Sequence, residues 1–450
     1  MYIICNEIPW IDPFDCFIRL RGDGPSIIFE SHAGSPKTSR YSFIGVDPEI
    51  IINGRSDDPD ISIDLLRQLS LRNSAPRIDG IPPFVGGIVG YFGYGFAHLF
   101  ETLPHNACDD LQIPDIVLMN VDLVVSFDNV LMKGWIIATV GENGNDELLC
   151  RKRISEVVDR IGQESGLIKT GRKGSKTRVM SNLTKKEYID MVTRCKEYIS
   201  AGDIFQANLS QRLSAHVRGI DPLNLYRILR GINPSPFSAF FDTGEIQLVS
   251  SSPERLVRLN DGIIETRPIA GTRPRGEDLL KNTILQKELL SDEKERAEHI
   301  MLVDLERNDI GRVCRFGTVH VDEFMVLDPY SHVTHIVSNI TGSIRHDKDA
   351  IDLIQAVFPG GTITGVPKIR SMEIIDELEP TARGPYTGSL GYISNTGDID
   401  FNIIIRTFVI KDGWAHVQVG AGIVADSDPV REYNETLYKA EALIKTLELL

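Results

Sequence analysis

The sequence predicts an α+β fold built on antiparallel sheets. Two observations carry this. Strand-like runs fall in neighbouring clusters, at 246–259 with 262–269 and at 388–394, 401–410 and 414–425, and the helical runs stand apart from them. The strand–helix alternation that marks a doubly wound parallel sheet is missing.

The first well-defined helix is expected over about 185–201. Thr184 and Glu187 form a capping box at its start. Tyr188, Met191, Val192, Cys195 and Ile199 then recur at helical spacing, and Gly202 supplies the stop. Ile204 to Leu213 reads as a strand, and 246–259 with 262–269 as a hairpin. Residues 279–308 are mostly helical in pattern. A closing helix is expected over 429–449, with Asp428 as its N-cap and Pro429 at its first position. Ile81 to Phe100 has no charged residue, yet it holds five glycines and opens with Pro82 and Pro83. That composition suits a closely packed strand-and-turn segment rather than a membrane helix.

The 450 residues, 42% hydrophobic and 25% charged, suit an ordinary globular protein of two or three domain-sized units. A formal net charge of −15 repels phosphodiester backbones, so nucleic acid is excluded as a main partner. Six cysteines, at 5, 16, 108, 150, 195 and 314, lack Cys-x-x-Cys spacing. They point to reduced thiols in the cytoplasm rather than to disulfides or zinc. The start of the chain lacks a basic segment followed by a clean apolar stretch, so no signal peptide is expected. A linker is expected at 166–180, where Gly and Lys/Arg concentrate. It divides an N-terminal region (1–165) from a catalytic region (181–450), and reads either as a basic patch or as a solvated loop.

Three kinds of feature could carry chemistry. Glu295 with Glu298, and Glu432 with Glu435, are acid pairs three residues apart on expected helices. Each pair shares a helix face, and convergence of the two faces would give oxygen ligands for a hard cation. Solvated acidic faces are the plainer alternative. Gly-rich turns at 268–276, 358–368 and 419–423 let backbone N–H groups approach anionic oxygens, though none has a nucleotide-binding spacing. Glu254 and His335 are candidate acid/base groups.

These residues sit in blocks that resemble one family. GDIFQANLSQR (202–212), SSPERLVR (251–258), RPIAGTRPRG (267–276) and AEHIMLVDLERNDIGRV (297–313) occur in order. FPGGTITGVPK (358–368), GSLGY (388–392) and GAGIVADS (420–427) follow them. The chain resembles the chorismate-utilising enzymes, in the branch holding the anthranilate synthase large subunit and aminodeoxychorismate synthase component I. The resemblance implies two antiparallel sheets packed in the interior with helices outside, the fold of aminodeoxychorismate synthase. It implies Mg²⁺ held by Glu298 and Glu435, with Glu295 and Glu432 nearby. Chorismate would be bound by Gly271, Thr272, Tyr386, Arg406, Gly420, Ala421, Gly422 and Lys439, with Thr272 also among the catalytic residues. Glu254 takes the place of the general acid/base and His335 that of an auxiliary group at the ring.

Gln206 stands where the water-using relatives carry a lysine base. An amide cannot deprotonate water, so the nucleophile implied is ammonia, supplied by a glutamine amidotransferase subunit. The branch turns on conflicting blocks. Ala270 stands where many aminodeoxychorismate synthases place a nucleophilic lysine. The blocks at 233–240, 358–365 and 388–400 resemble aminodeoxychorismate synthase more closely, and a tryptophan pocket is kept only in part, at Ser31, Pro236, Phe237 and Ser238. On these motifs the first expectation is 4-amino-4-deoxychorismate, on the route to p-aminobenzoate and folate. Anthranilate with pyruvate, on the route to tryptophan, is the alternative. A chorismate-binding regulatory subunit without catalysis is the third.

Overall fold

A computed structural model describes residues 1–32, 37–72, 74–141, 145–163, 178–275, 278–329 and 333–450. Among the described residues two sheets form, one of twelve strands and one of ten, and every paired strand in them runs antiparallel to its neighbour. Both sheets mix strands from early and late in the chain. In the larger, Ser26–Glu30 pairs with Phe237–Asp242. In the smaller, Gly87–Phe92 pairs with Ser389–Ser394.

Burial of both faces explains this layering. A core shared by the sheets joins Ile27, Phe43, Phe241 and Leu248 of one to Val89, Tyr91, Met119 and Leu390 of the other. On the outer face of the larger sheet, Phe14, Phe17, Leu229 and Leu443 bring helices over Val125, Phe240 and Phe408. On the outer face of the smaller sheet, Val303, Ile351 and Leu353 cover Val257, Ile340 and Phe401. Sheets inside and helices outside is the arrangement the motifs implied. Apolar surface facing both ways on each sheet requires it.

The helix at Lys185–Ala201 has its Thr184–Glu187 capping box and ends on Gly202 at φ +84, as the spacing requires. The closing helix runs Pro429–Glu448, with Asp428 accepting from the N–H groups of Val430 and Arg431. The uncharged segment at 81–100 forms the buried strand Gly87–Phe92 and a 3₁₀ turn at Tyr94–Leu99. Among the described residues no helix is long and apolar enough to cross a membrane. Of the linker expected at 166–180, only residues 178–180 lie within the described residues.

Two strand runs break where continuous elements were expected. The run 246–259 divides into Gln247–Ser252 and Arg255–Asn260, in different sheets. Pro253 has no N–H for a ladder, and the Glu254 carbonyl accepts instead from Ile403 N at 3.0 Å. The run 401–410 breaks between Ile399–Asn402 and Thr407–Lys411, with Arg406 at φ +50. The helical stretch 279–308 is two helices, Leu279–Ser291 and Glu293–Gly311, separated by Asp292 in an extended conformation.

Candidate active site

The floor of the site is a glycine strand. Gln206–His216 pairs with Trp414–Ile423, placing Asn208 opposite Gly422 and Ser210 opposite Gly420. Gln206 and Asn208, two apart on one strand, project to the same face. Both glycines are needed because polar atoms fill the space above them. A Cβ on Gly420 would stand 2.3 Å from Asn208 Oδ1 and 2.7 Å from the Tyr386 hydroxyl. One on Gly422 would stand 2.5 Å from Gln206 Nε2 and 3.5 Å from Glu298 Oε1. Ala421 differs from its neighbours. Its methyl packs with Tyr188 and Ile374 on the far side, so only its backbone is offered to a ligand.

Positive charge comes from two side chains. Lys439 Nζ donates to the Gly420 carbonyl at 3.0 Å and pairs with Glu435 at 2.8 Å. Arg406 is close enough for its charge to act on both Glu254 and His335. Tyr386 is set by a buried neighbour, since the Arg383 guanidinium lies 5.5 Å from its ring centroid. Arg383 also bonds the carbonyls of Asn208 at 2.6 Å and Ile363 at 3.1 Å, and pairs with Glu379 at 2.7 Å.

Glu254 occupies the break between two sheets, with a buried carboxyl. Burial pushes that carboxyl up to about 7, and the Thr362 hydroxyl, the Ile269 amide, Lys439 and Arg406 draw it back only in part. Its Oε1 has no hydrogen-bond partner among the described residues. A carboxyl so placed carries a proton near neutral pH and is ready to give it up. His335 is also buried, and burial together with Arg406 lowers it to about 4. It is therefore a neutral imidazole at pH 7.

His335 lies opposite Thr272 across two strands, and Ala270 lies opposite Ile336. Between them the register slips at Gly271, which takes φ +66. A side chain there would be strained and would meet Glu295 Oε2 at 3.1 Å. Of Thr272 the structure describes the backbone. Ala270 is buried and presents only a methyl.

The four glutamates are distributed unequally. Glu298 accepts from Gln206 Nε2 at 3.0 Å, beside Gly422. Glu435 lies on Lys439, which reaches Gly420. Glu298 and Glu435 thus approach one short stretch of strand from different helices. Glu295 is paired with Arg273 at 3.2 Å, and Glu432 is buried. Among the described residues no three His, Cys, Asp or Glu side chains are drawn into a metal-holding group. The donor chemistry nevertheless fits Mg²⁺, which is commonly held by one or two carboxylates with substrate oxygens and water completing the shell.

Ser31, Pro236, Phe237 and Ser238 line a separate cavity of about 500 Å³. The Ser31 hydroxyl donates to the Pro236 carbonyl at 2.7 Å. The Arg255 guanidinium lies 5.1 Å from the Phe237 ring centroid, and Arg255 follows Glu254 directly in the chain. The space suits a small molecule.

Sequence reasoning missed Asn208, Thr362 and Arg383. Asn208 was within reach, because a strand that aims Gln206 at the site aims Asn208 there too. Arg383 with Glu379 gave no signal, since i, i+4 charge pairs are common on exposed helices.

The chain matches the family described as chorismate binding enzyme over residues 25–445. It is 43% identical over 462 residues to anthranilate synthase component 1 of Acetivibrio thermocellus, covering 97% of this chain and 92% of that protein. It is 41% identical over 429 residues to aminodeoxychorismate synthase component 1 of Bacillus subtilis (strain 168), covering 92% and 91%. It is similar to the crystal structure of anthranilate synthase component I from Streptococcus pneumoniae TIGR4, with a TM-score of 0.80 and 34% identity, covering 90% of this chain and 92% of that one.

Proposed function

Because the chain belongs to the chorismate binding enzyme family, we propose that it aminates chorismate with ammonia and releases anthranilate and pyruvate. The observation that carries the choice of product is Ala270, a buried methyl where a lysine-dependent route needs an amine. The relatives support the same choice, two of the three described above being anthranilate synthase components. That reverses the order drawn from the motifs. The second reading is 4-amino-4-deoxychorismate, favoured by the blocks at 233–240, 358–365 and 388–400 and by the Bacillus relative.

Chorismate carries two carboxylates into a protein of net charge −15, so attraction must be local. Lys439 at the Gly420 carbonyl, Arg406 near Glu254 and the Tyr386 hydroxyl would supply that local charge and hydrogen bonding. Glu298 and Glu435 would hold Mg²⁺, which would supply positive charge against a substrate carboxylate. Glu254 gives its proton to the departing ring hydroxyl, which leaves as water. Neutral His335 serves as a hydrogen-bonding group at the ring. Gln206 has its N–H committed to Glu298, so its Oε1, which has no partner among the described residues, is left to accept from an ammonia N–H. Ammonia is mostly protonated at pH 7, and delivery by a docked glutaminase subunit meets that difficulty. The component 1 names of the relatives fit such a pairing.

Incubation with chorismate, Mg²⁺ and an ammonium salt, followed by mass spectrometry, decides the product. Anthranilate and pyruvate are expected in equal amounts. 4-Amino-4-deoxychorismate alone transfers the assignment to the second reading. Bound chorismate with no product in the presence of ammonium defeats both, and leaves a binding subunit.

The carboxylates give a further expectation. Glu298→Ala and Glu435→Ala should each weaken Mg²⁺ binding at least tenfold in calorimetric titrations with chorismate present, about 1.4 kcal/mol. Unchanged affinity in both variants removes the metal assignment.

A further inference from the structure

Two buried oxygens at the floor of the site lack a donor. Asn208 and Gln206 are only 8% and 3% exposed. Neither Asn208 Oδ1 nor Gln206 Oε1 has a hydrogen-bond partner among the described residues. A buried acceptor left in that state costs stability until something completes it. Each amide is oriented by its own nitrogen. Gln206 Nε2 donates to Glu298 Oε1 at 3.0 Å, and Asn208 Nδ2 donates to the Thr362 carbonyl at 3.4 Å. Turning either amide over would set oxygen against oxygen, so the orphaned atom in each is the acceptor.

The two oxygens serve one space. Gln206 and Asn208 lie on the same face of the strand Gln206–His216, and alternate residues of a strand are roughly 6.6 Å apart. Both side chains reach over the facing glycines, Asn208 Oδ1 above Gly420 and the Gln206 amide above Gly422. A small molecule hydrogen-bonded to both oxygens bridges about 6 Å. Chorismate cannot complete the pair. It brings two carboxylates, which these oxygens repel, and one hydroxyl, which is the group Glu254 protonates. Ammonia brings three N–H groups.

We propose that Asn208 Oδ1 and Gln206 Oε1 together form the ammonia-binding site, each accepting one N–H and leaving the lone pair free. The inference rests on the ammonia-using reaction proposed above, and it adds Asn208 as a second contact to the nucleophile. An amide oxygen takes a hydrogen bond without taking the proton, so the pair holds ammonia, which is nucleophilic as it stands, and does not turn water into hydroxide. Neutrality matters too. A carboxylate in either place would favour ammonium, which has no lone pair.

Ammonium-dependent turnover and chorismate binding, measured separately at one pH, test this. Asn208→Leu and the smaller Asn208→Ala should each lower kcat/KM for ammonium about five- to tenfold at saturating chorismate and Mg²⁺. The Kd for chorismate in calorimetric titrations with Mg²⁺ should stay within about twofold of the parent in both variants. An ammonium kcat/KM at the parental value in both overturns the proposal. So does a chorismate Kd weakened as much as the ammonium kcat/KM falls, which gives Asn208 to chorismate instead. A parent that forms no aminated product from ammonium defeats the proposed function itself, whereas a productive parent with unresponsive variants defeats this inference alone.

Discussion

Glu254→Gln is expected to lower kcat/KM for chorismate by about 10²- to 10⁴-fold, the usual contribution of a positioned general acid. Glutamine keeps the shape and loses the transferable proton, so the Kd for chorismate should stay close to that of the parent. The pH dependence is the sharper test. Burial holds the Glu254 carboxyl at about 7. An acid works protonated, so the rate falls as pH rises through that value, and this limb should vanish in the variant. Stability moves with it. The folded chain binds this proton more tightly than the unfolded chain does, so Glu254 costs nothing below the ordinary carboxylate range and destabilises progressively as pH rises toward 7. Unfolding of Glu254→Gln measured between those limits should therefore depend less on pH. A variant with parental kcat/KM and an intact alkaline limb removes Glu254 from the chemistry.

Arg383→Met is expected to destabilise the protein by about 3–5 kcal/mol, because Glu379 then keeps a buried charge with no counter-ion. Both side chains are almost fully enclosed, at 2% and 3% exposure. Arg383 also bonds the Asn208 and Ile363 carbonyls and the Thr387 hydroxyl, so its loss loosens the strand floor and the Tyr386 ring together. Urea unfolding measures the loss. A double variant, Arg383→Met with Glu379→Leu, should regain part of it, since no lone charge remains. A loss under about 1 kcal/mol for the single variant means that Arg383 does not hold the strand floor and the Tyr386 ring in place.

Much of the architecture was legible in the sequence because local signals agreed with tertiary burial. The helix Lys185–Ala201 has its capping box, its apolar stripe and its stop residue in register. The final helix shows its Asp428–Pro429 start in the same way. Periodicity failed at Pro253–Glu254 and near Arg406, where apolar runs continue but the backbone leaves the sheet. Both breaks belong to the site, where function overrides pattern. The acid pairs were visible as spacings, but their inequality was not. Glu295 turns to Arg273, while Glu298 turns to Gln206. Partners 22 and 92 positions away make that difference, and no local window holds both. Arg383 was hidden for the same reason, since it gains its meaning from the Asn208 carbonyl, 175 positions away.

The interleaving of early and late strands has a consequence for synthesis. Gly87–Phe92 leaves the ribosome roughly 300 residues before its partner Ser389–Ser394. At about 5–20 residues per second that is a wait of some 15–60 seconds. One edge of an apolar strand stays unpaired throughout, and the nascent chain must be shielded from its neighbours until the last quarter is made. A protein so ordered matures as a whole, and its expression should respond to chaperone supply more than that of a chain whose parts close in turn.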